Sequence, residues 1–515
     1  MNIYSMLTDA VRRRGHATAV RCGDKAMAYN GLDGVCAALG EWFMQQGCAR
    51  GDRVLLFLRN CFEFPVLLLA PMRAGLVVVP TNAKLHPREV AWIAGNAEPR
   101  LIFTHREHVA ELRANLPEGH SCAIIAIEDF ALPQPEAARS ITANVDPDDA
   151  AWIFYTSGTT GKPKGAMLSH RNLIAATVNC LADVFSFQGC DRVLHVAPLS
   201  HGSGLYLIPS LVRGAENIIY DRDGFRADEV FETVADMSIS VIPFVAPTMI
   251  VRLLEASPRI DIASLRGVIY GGASIHLEHI REAVARFGPI FHQLYGQGEA
   301  PMTISYLPGP DHLDADDETL GSAGYVRSGV EVRIIDEADN DVQDGEDGEI
   351  CVRGDVVMKG YWRNPEATAS ALRGGWLRTG DIGRFDPAGR LRILDRRYDT
   401  IISGGTNIYP KEIEDVLAAC PGVREVIAFG LPDDEWGQSV AVALVVEDAN
   451  LGETEILAYC RANLASFKKP KHIFFVPELP KNAYGKVLRR DLRNEQARLV
   501  LDRILPARRA PDAPT

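Results

Sequence analysis

Short apolar runs alternate with longer stretches of helical spacing through most of this chain, and that alternation restricts its fold more than any other feature. "DRVLLFL" (52–58), "AGLVVVP" (74–80) and "RLIFTH" (100–105) read as strands, with "FEFPVLLLAPMRA" and "HPREVAWIAGNAE" as helices between them. The pattern recurs at "DRVLHVAPL", "SISVIPFVAP" and "LRGVIYGGA". Strands separated by helices predict an α/β fold with parallel-rich sheets covered by helices. Ligands of such sheets gather beyond the carboxyl ends of strands. Three Gly-rich segments fall there, after "AAWIFYTSG", "RGVIYGGAS" and "HQLYGQGEA". A polar, Pro-bearing stretch, 132–149, reads as a linker into the first of them. From about 328 the runs shorten and are broken by Gly and Asp ("GVEVRIIDE", "GEICVRG", "GRLRILD", "DTIISGG"), which predicts a small antiparallel, barrel-like segment. A smaller α+β pattern comes after residue 398, and the final residues read as a frayed tail.

Composition narrows the function classes. The chain has 515 residues, 47% hydrophobic and 23% charged, enough for a large buried core. A net charge of −13 gives no general attraction to nucleic acid or anionic membrane, although a local basic cluster can still hold a small anion. The ten cysteines are scattered singly, without metal-ligand spacing, and read as reduced cysteines of a cytoplasmic protein. No apolar run has the length of a signal peptide or a membrane span.

The stretch "YTSGTTGKPKG" (155–165) carries the strongest chemical signal. Its hydroxyls, backbone N–H groups and two lysines form a nest suited to polyphosphate. It is not a Walker loop: only two residues separate Gly158 from Gly161, and Pro163 confines Lys162 to extended backbone. Taken alone, the segment also reads as a surface turn, since Gly, Ser and Thr are turn residues, but the phosphate reading is the stronger of the two.

Four further segments change that balance. "YGQGEA" (295–300), "GWLRTGDIG" (375–383), "GRLRILDRRYDTIISGGTNIYPKEIE" (389–414) and "PKNAYGKVLRRDLR" (480–493) come in order along the chain. With the first, they resemble the adenylate-forming enzymes: acyl-CoA synthetases, adenylation domains of peptide synthetases, and firefly luciferase. The resemblance spans about 20 to 495. It implies a large N-terminal ATP- and acyl-binding domain (1–395), a hinge (396–398) and a small mobile C-terminal lid (399–515). It implies an acid–thiol ligase: a carboxylate attacks the α-phosphate of ATP to give acyl-AMP and pyrophosphate, and coenzyme A then takes the acyl group.

The resemblance also assigns residues. Thr156, Ser157, Gly158, Thr159, Thr160, Gly161, Lys162 and Lys164 would hold phosphates. Lys486 would bridge carboxylate and α-phosphate, neutralising two anions that must meet; a lone lysine without that motif would read as a solvated surface residue. Glu299, with Thr156, would hold Mg²⁺ through hard oxygens. Asp381 would accept the ribose hydroxyls and Arg396 would add a ribose or phosphate contact. Gly271, Gly272 and Ala273 would let adenine lie against backbone, with Gly296 beside it and Tyr295 stacked on the base. Core packing is the competing reading of Tyr295. Gly404 and Gly405 would let pantetheine pass close to backbone.

The chain departs from the family at two positions. Gly298 stands where the family has Thr, and the hinge position, commonly Lys or Asp, is Tyr398. The expected acyl walls, 198–208, 243–250, "YGGAS" and "GQGEAPM", are mostly apolar or small and contain no arginine. They favour a monocarboxylic fatty or aryl acid. His201 matches an aromatic gate between acyl and thiol sites, and a structural role reads as well. Gly202, Gly204 and Gly298 suggest room for a bulky acid. Two other readings stay open: an adenylation enzyme that loads a carrier protein, and a nucleotide-binding regulator without catalysis. Homodimerisation is left open too.

Overall fold

The computed structural model describes residues 1–135, 142–156, 163–222, 224–256, 262–396, 399–403, 406–433, 436–447, 451–465, 468–481, 487–489 and 492–493. Ser157 to Lys162, Tyr398, Gly404, Gly405, Lys486 and the tail lie outside the described residues, as does part of the 132–149 linker.

Two large sheets form the N-terminal part. One has six strands in the order Ala123–Ala126, Pro99–Thr104, Arg53–Phe57, Val77–Thr81, Ala150–Thr156, Lys164–Ser169. All neighbours are parallel except the last pair. The other has nine strands. Its central six, Phe291–Gln297, Gly267–Gly271, Val241–Val245, Arg192–His195, Glu216–Ile219 and Thr18–Cys22, run parallel. Antiparallel strands flank both edges. The helix Phe64–Arg73 is buried along its whole length and is apolar all round up to Arg73 in its last turn, and Pro65 sits at its first turn, where no N–H is needed. A five-stranded antiparallel sheet (331–396) occupies the place expected for the barrel-like segment. The small C-terminal part pairs Val423–Asp433, Gly437–Val446 and His472–Phe475 beside the helices Pro410–Ala418 and Glu453–Asn463.

Two of the three Gly-rich segments lead into a strand rather than a helix, against the strand–helix alternation. The 150–156 strand pairs antiparallel with the strand Lys164–Ser169 that follows it in sequence, with Thr156 opposite Lys164. "YGQGEA" is likewise the turn of a hairpin, with Gln297 opposite Ala300. Only "YGGAS" leads onward to a helix, Leu277–Phe287. One physical reason for the first hairpin is in the sequence: Pro163 favours extended backbone before it, so the Gly-Lys pair cannot run unbroken into a helix as it does in a Walker loop.

The segment 358–362 ties the two hairpins together. Met358 N–H donates to Glu299 O at 2.7 Å, and Trp362 N–H donates to Gly165 O at 2.7 Å. Asn172, in the capping box of the helix His170–Asn179, donates to Asp355 O and Val357 O at 2.7 and 2.8 Å. All ten cysteines are free. No helix among the described residues is long and apolar enough to cross a membrane.

Candidate active site

The carboxyl ends of both parallel sheets open on one cleft of about 1570 Å³. Its lining includes Thr156, Lys164, His201, Gly271, Gly272, Ala273, Gly296 and Glu299, along with Thr379, Gly380 and, from the C-terminal part, Arg424 and Lys481. Residues from well-separated stretches of sequence therefore meet in one space.

Glu299 is held at the turn between its hairpin and the 358–362 segment. Its Oε1 accepts from the Tyr361 hydroxyl at 2.7 Å and from Thr156 Oγ1 at 3.4 Å. Lys164 Nζ stands 5.3 Å from the centre of the Tyr361 ring. A carboxylate and a threonine hydroxyl side by side form a hard-oxygen donor set, which suits Mg²⁺. Sequence reasoning misses Tyr361. Its surroundings, "MKGYWRNP", carry no polar pattern that distinguishes it from a packed aromatic.

Asp381 and Tyr295 lie behind the cleft wall, 3% and 9% exposed. The Tyr295 hydroxyl donates to Asp381 Oδ2 at 2.5 Å, and Gln297 Nε2 donates to the same oxygen at 2.6 Å and to Thr379 O at 2.9 Å. Tyr295 packs into the main core, as its competing reading holds. Gln297 lies inside the "YGQGEA" motif, yet the resemblance assigns it no role. Arg396 ends the strand Leu391–Arg396, opposite Asp381 in register.

His201 precedes the helix Gly202–Val212. Its Nδ1 pairs with Ser200 Oγ at 2.9 Å, and its ring meets Phe154 edge-on at 5.1 Å. Burial pushes its pKa down to about 3, so the imidazole is neutral at physiological pH.

The glycines need correction. A Cβ on Gly298 would overlap the Thr156 methyl and stand 2.9 Å from Phe154 Cδ1. At Gly202 it would meet Met302 Cε at 2.5 Å and Phe244 Cγ at 2.9 Å, and at Gly204 it would strike the Leu199 carbonyl. These three positions are small because neighbours fill the space, so they do not enlarge the acyl pocket. Gly271 is set by its own sheet as well, since a Cβ there would lie 2.6 Å from Leu294 O. Such close approaches are invisible in sequence because the occupying atoms come from distant segments.

Residues 7–362 match the model of the AMP-binding enzyme family, and residues 412–486 match that of the AMP-binding enzyme C-terminal domain. A feruloyl-CoA synthase of an Amycolatopsis species is 36% identical over 94% of this chain and 96% of its own. A long-chain-fatty-acid–CoA ligase of Escherichia coli O157:H7 is 32% identical over 96% and 94%. ATP-bound MatB from Rhodopseudomonas palustris, 31% identical, overlays with a TM-score of 0.87 over 97% of this chain and 99% of its own, against 0.78 for its apo form. With both of its parts matched in order, the chain belongs to the AMP-binding, adenylate-forming enzyme family.

Proposed function

We propose that this protein is an AMP-forming acyl-CoA ligase. The observation that carries the reading is the meeting of Thr156 and Glu299 at 3.4 Å, on the rim of a cleft that also receives Lys164 and Gly380. In the first step a carboxylate oxygen attacks the α-phosphorus of ATP. The bond to the β-phosphate oxygen breaks, and pyrophosphate leaves with its electron pair. In the second step the thiol sulfur of coenzyme A attacks the acyl carbon. AMP leaves with the acyl–oxygen electron pair, and the thiol proton passes to solvent.

The loop from Thr156 to Lys162, with Lys164, holds the β- and γ-phosphates during attack. Lys486 bridges the two reacting anions. Glu299 and Thr156 hold Mg²⁺, whose charge offsets the phosphates. Gly271, Gly272, Ala273 and Gly296 border adenine, and Asp381 with Arg396 serves the ribose. Tyr295 positions Asp381 through its hydroxyl, which the 2.5 Å bond supports. His201, neutral and braced by Phe154, separates the acyl and thiol sites. Gly404 and Gly405 pass the pantetheine arm.

The matching domain division is 1–395, a hinge at 396–398, and a lid from 399 that carries Lys486. The better overlay on ATP-bound than on apo MatB supports a movable pairing of the two parts. The two curated relatives act, by name, on a feruloyl and a long-chain fatty acyl group, which supports an acid with an apolar body. We place the enzyme in the cytoplasm and leave a homodimer to be measured.

AMP formation with a panel of fatty and aryl acids, with and without CoA, tests the reading. Turnover that needs both acid and CoA is expected. Adenylate without thioester selects the carrier-loading alternative, and ATP binding without pyrophosphate selects the regulator. Lys486→Ala should abolish pyrophosphate release while CoA still reacts with supplied acyl-adenylate. Equal loss of both half-reactions would rule out the alternation of the lid.

A further inference from the structure

Arg327 is 2% exposed, deep behind the wall of the cleft. It comes from "GYVRSG", outside every segment expected to line the acyl pocket. A buried guanidinium offers five N–H donors and no acceptor, so each donor needs an oxygen. Nη1 donates to the Met302 carbonyl, and Nε stands 4.0 Å from Asp183 Oδ2. Among the described residues, neither Nε nor Nη2 has a hydrogen-bond partner.

Arg327 borders a void of about 20 Å³ beside Tyr206, Thr303, Leu205, Pro301 and Met302. The Tyr206 hydroxyl lies against the Arg327 guanidinium, and neither it nor Thr303 Oγ1 makes a well-formed hydrogen bond among the described residues. Leu205, Pro301 and Met302 line the large cleft too, so they form the partition between the two spaces. Met302 holds a backbone φ of +56°, a strained value for a residue with a side chain, and its carbonyl is the one Arg327 binds. Its unbranched thioether can change rotamer at little cost. A void of this size admits about one oxygen atom.

We propose that Arg327, Tyr206 and Thr303 form a subsite for a single oxygen acceptor at the far end of the acid, a hydroxyl or carbonyl, reached when Met302 swings aside. This rests on the acyl-CoA ligase reading and narrows its substrate class to acids with an apolar body and an oxygen-bearing tip. Without such a ligand the apolar partition stays closed.

The test compares methyl-ended straight-chain acids, from hexanoic to hexadecanoic, with their ω-hydroxy and ω-carboxy analogues, and 4-methylcinnamic with 4-hydroxycinnamic acid. The readouts are CoA-dependent kcat/KM and equilibrium binding of each acid in the presence of AMP. At one length or in the aryl pair, the hydroxylated acid should be preferred by roughly tenfold. Arg327→Met should remove that preference. Tyr206→Phe, which spares the Arg327–Met302 bond, should lower the preference by roughly threefold. Preference for the ω-carboxy acid would overturn the single-oxygen assignment. No preference at any length, or equal losses for both acids in Tyr206→Phe, would overturn the subsite and leave the void to water. A chain that binds the acids with this preference but forms no AMP would refute the ligase reading alone.

Discussion

Gly298 faces Thr156 so closely that any Cβ on the glycine would overlap the threonine methyl. The missing hydroxyl at this position is therefore matched by a neighbour that fills its space. Gly298→Thr, which restores the residue usual in the family, should destabilise the protein by about 1–3 kcal/mol through overpacking. It should also slow adenylation by displacing Thr156 from Glu299. Adding Thr156→Ser removes the obstructing methyl and should recover part of both losses. A thermal midpoint and pyrophosphate release on the three variants check this, and a fully active, stable Gly298→Thr would refute it.

Tyr295 and Gln297 share one oxygen of Asp381. Tyr295→Phe leaves a buried carboxylate short of a donor, so a loss of about 1–3 kcal/mol of stability is expected. If Tyr295 positions Asp381 for ribose, KM for ATP should rise several-fold with kcat little changed. An unchanged KM would confine Tyr295 to packing.

Glu299→Gln keeps the shape of the site and removes its charge. Pyrophosphate release should fall by at least about a hundredfold, and the Mg²⁺ concentration for half-maximal rate should rise. ATP binding measured without Mg²⁺ should change little. An unshifted Mg²⁺ dependence would move the metal away from Glu299.

Burial pushes the pKa values of His170, His195 and His292 down to about 4 and that of His201 to about 3. An unfolded imidazole takes up its proton near pH ~6.5. Between about 6.5 and 4 the unfolded chain therefore binds more protons than the folded one, and stability must fall as pH falls. Each buried histidine contributes at most about 1.4 kcal/mol per pH unit in that window. Urea midpoints near neutral pH and near pH ~5 measure the slope, and equal midpoints would contradict it.

Much of the fold is legible in the sequence because its signals are local. Strand runs at 52–58, 241–245 and 267–271 stand out through apolar content, and Pro163 argues against a helix running unbroken out of the Gly-Lys pair. The site is legible where a residue type is itself the chemistry, as with Glu299 and Lys164. Tyr361 and Gln297 escape sequence reasoning because their roles depend on partners from other segments: Glu299 for Tyr361, and Thr379 and Asp381 for Gln297.

The sequence by itself determined the alternation of strands and helices, the order of the motifs and the membership of the family, since each is written in contiguous residues. Tertiary structure decided which glycines are filled by neighbours, that Tyr295 turns its hydroxyl to Asp381, and that Arg327 lies behind Met302. Those outcomes depend on which atoms from distant segments share a space, and close packing fixes that only once the whole chain has folded.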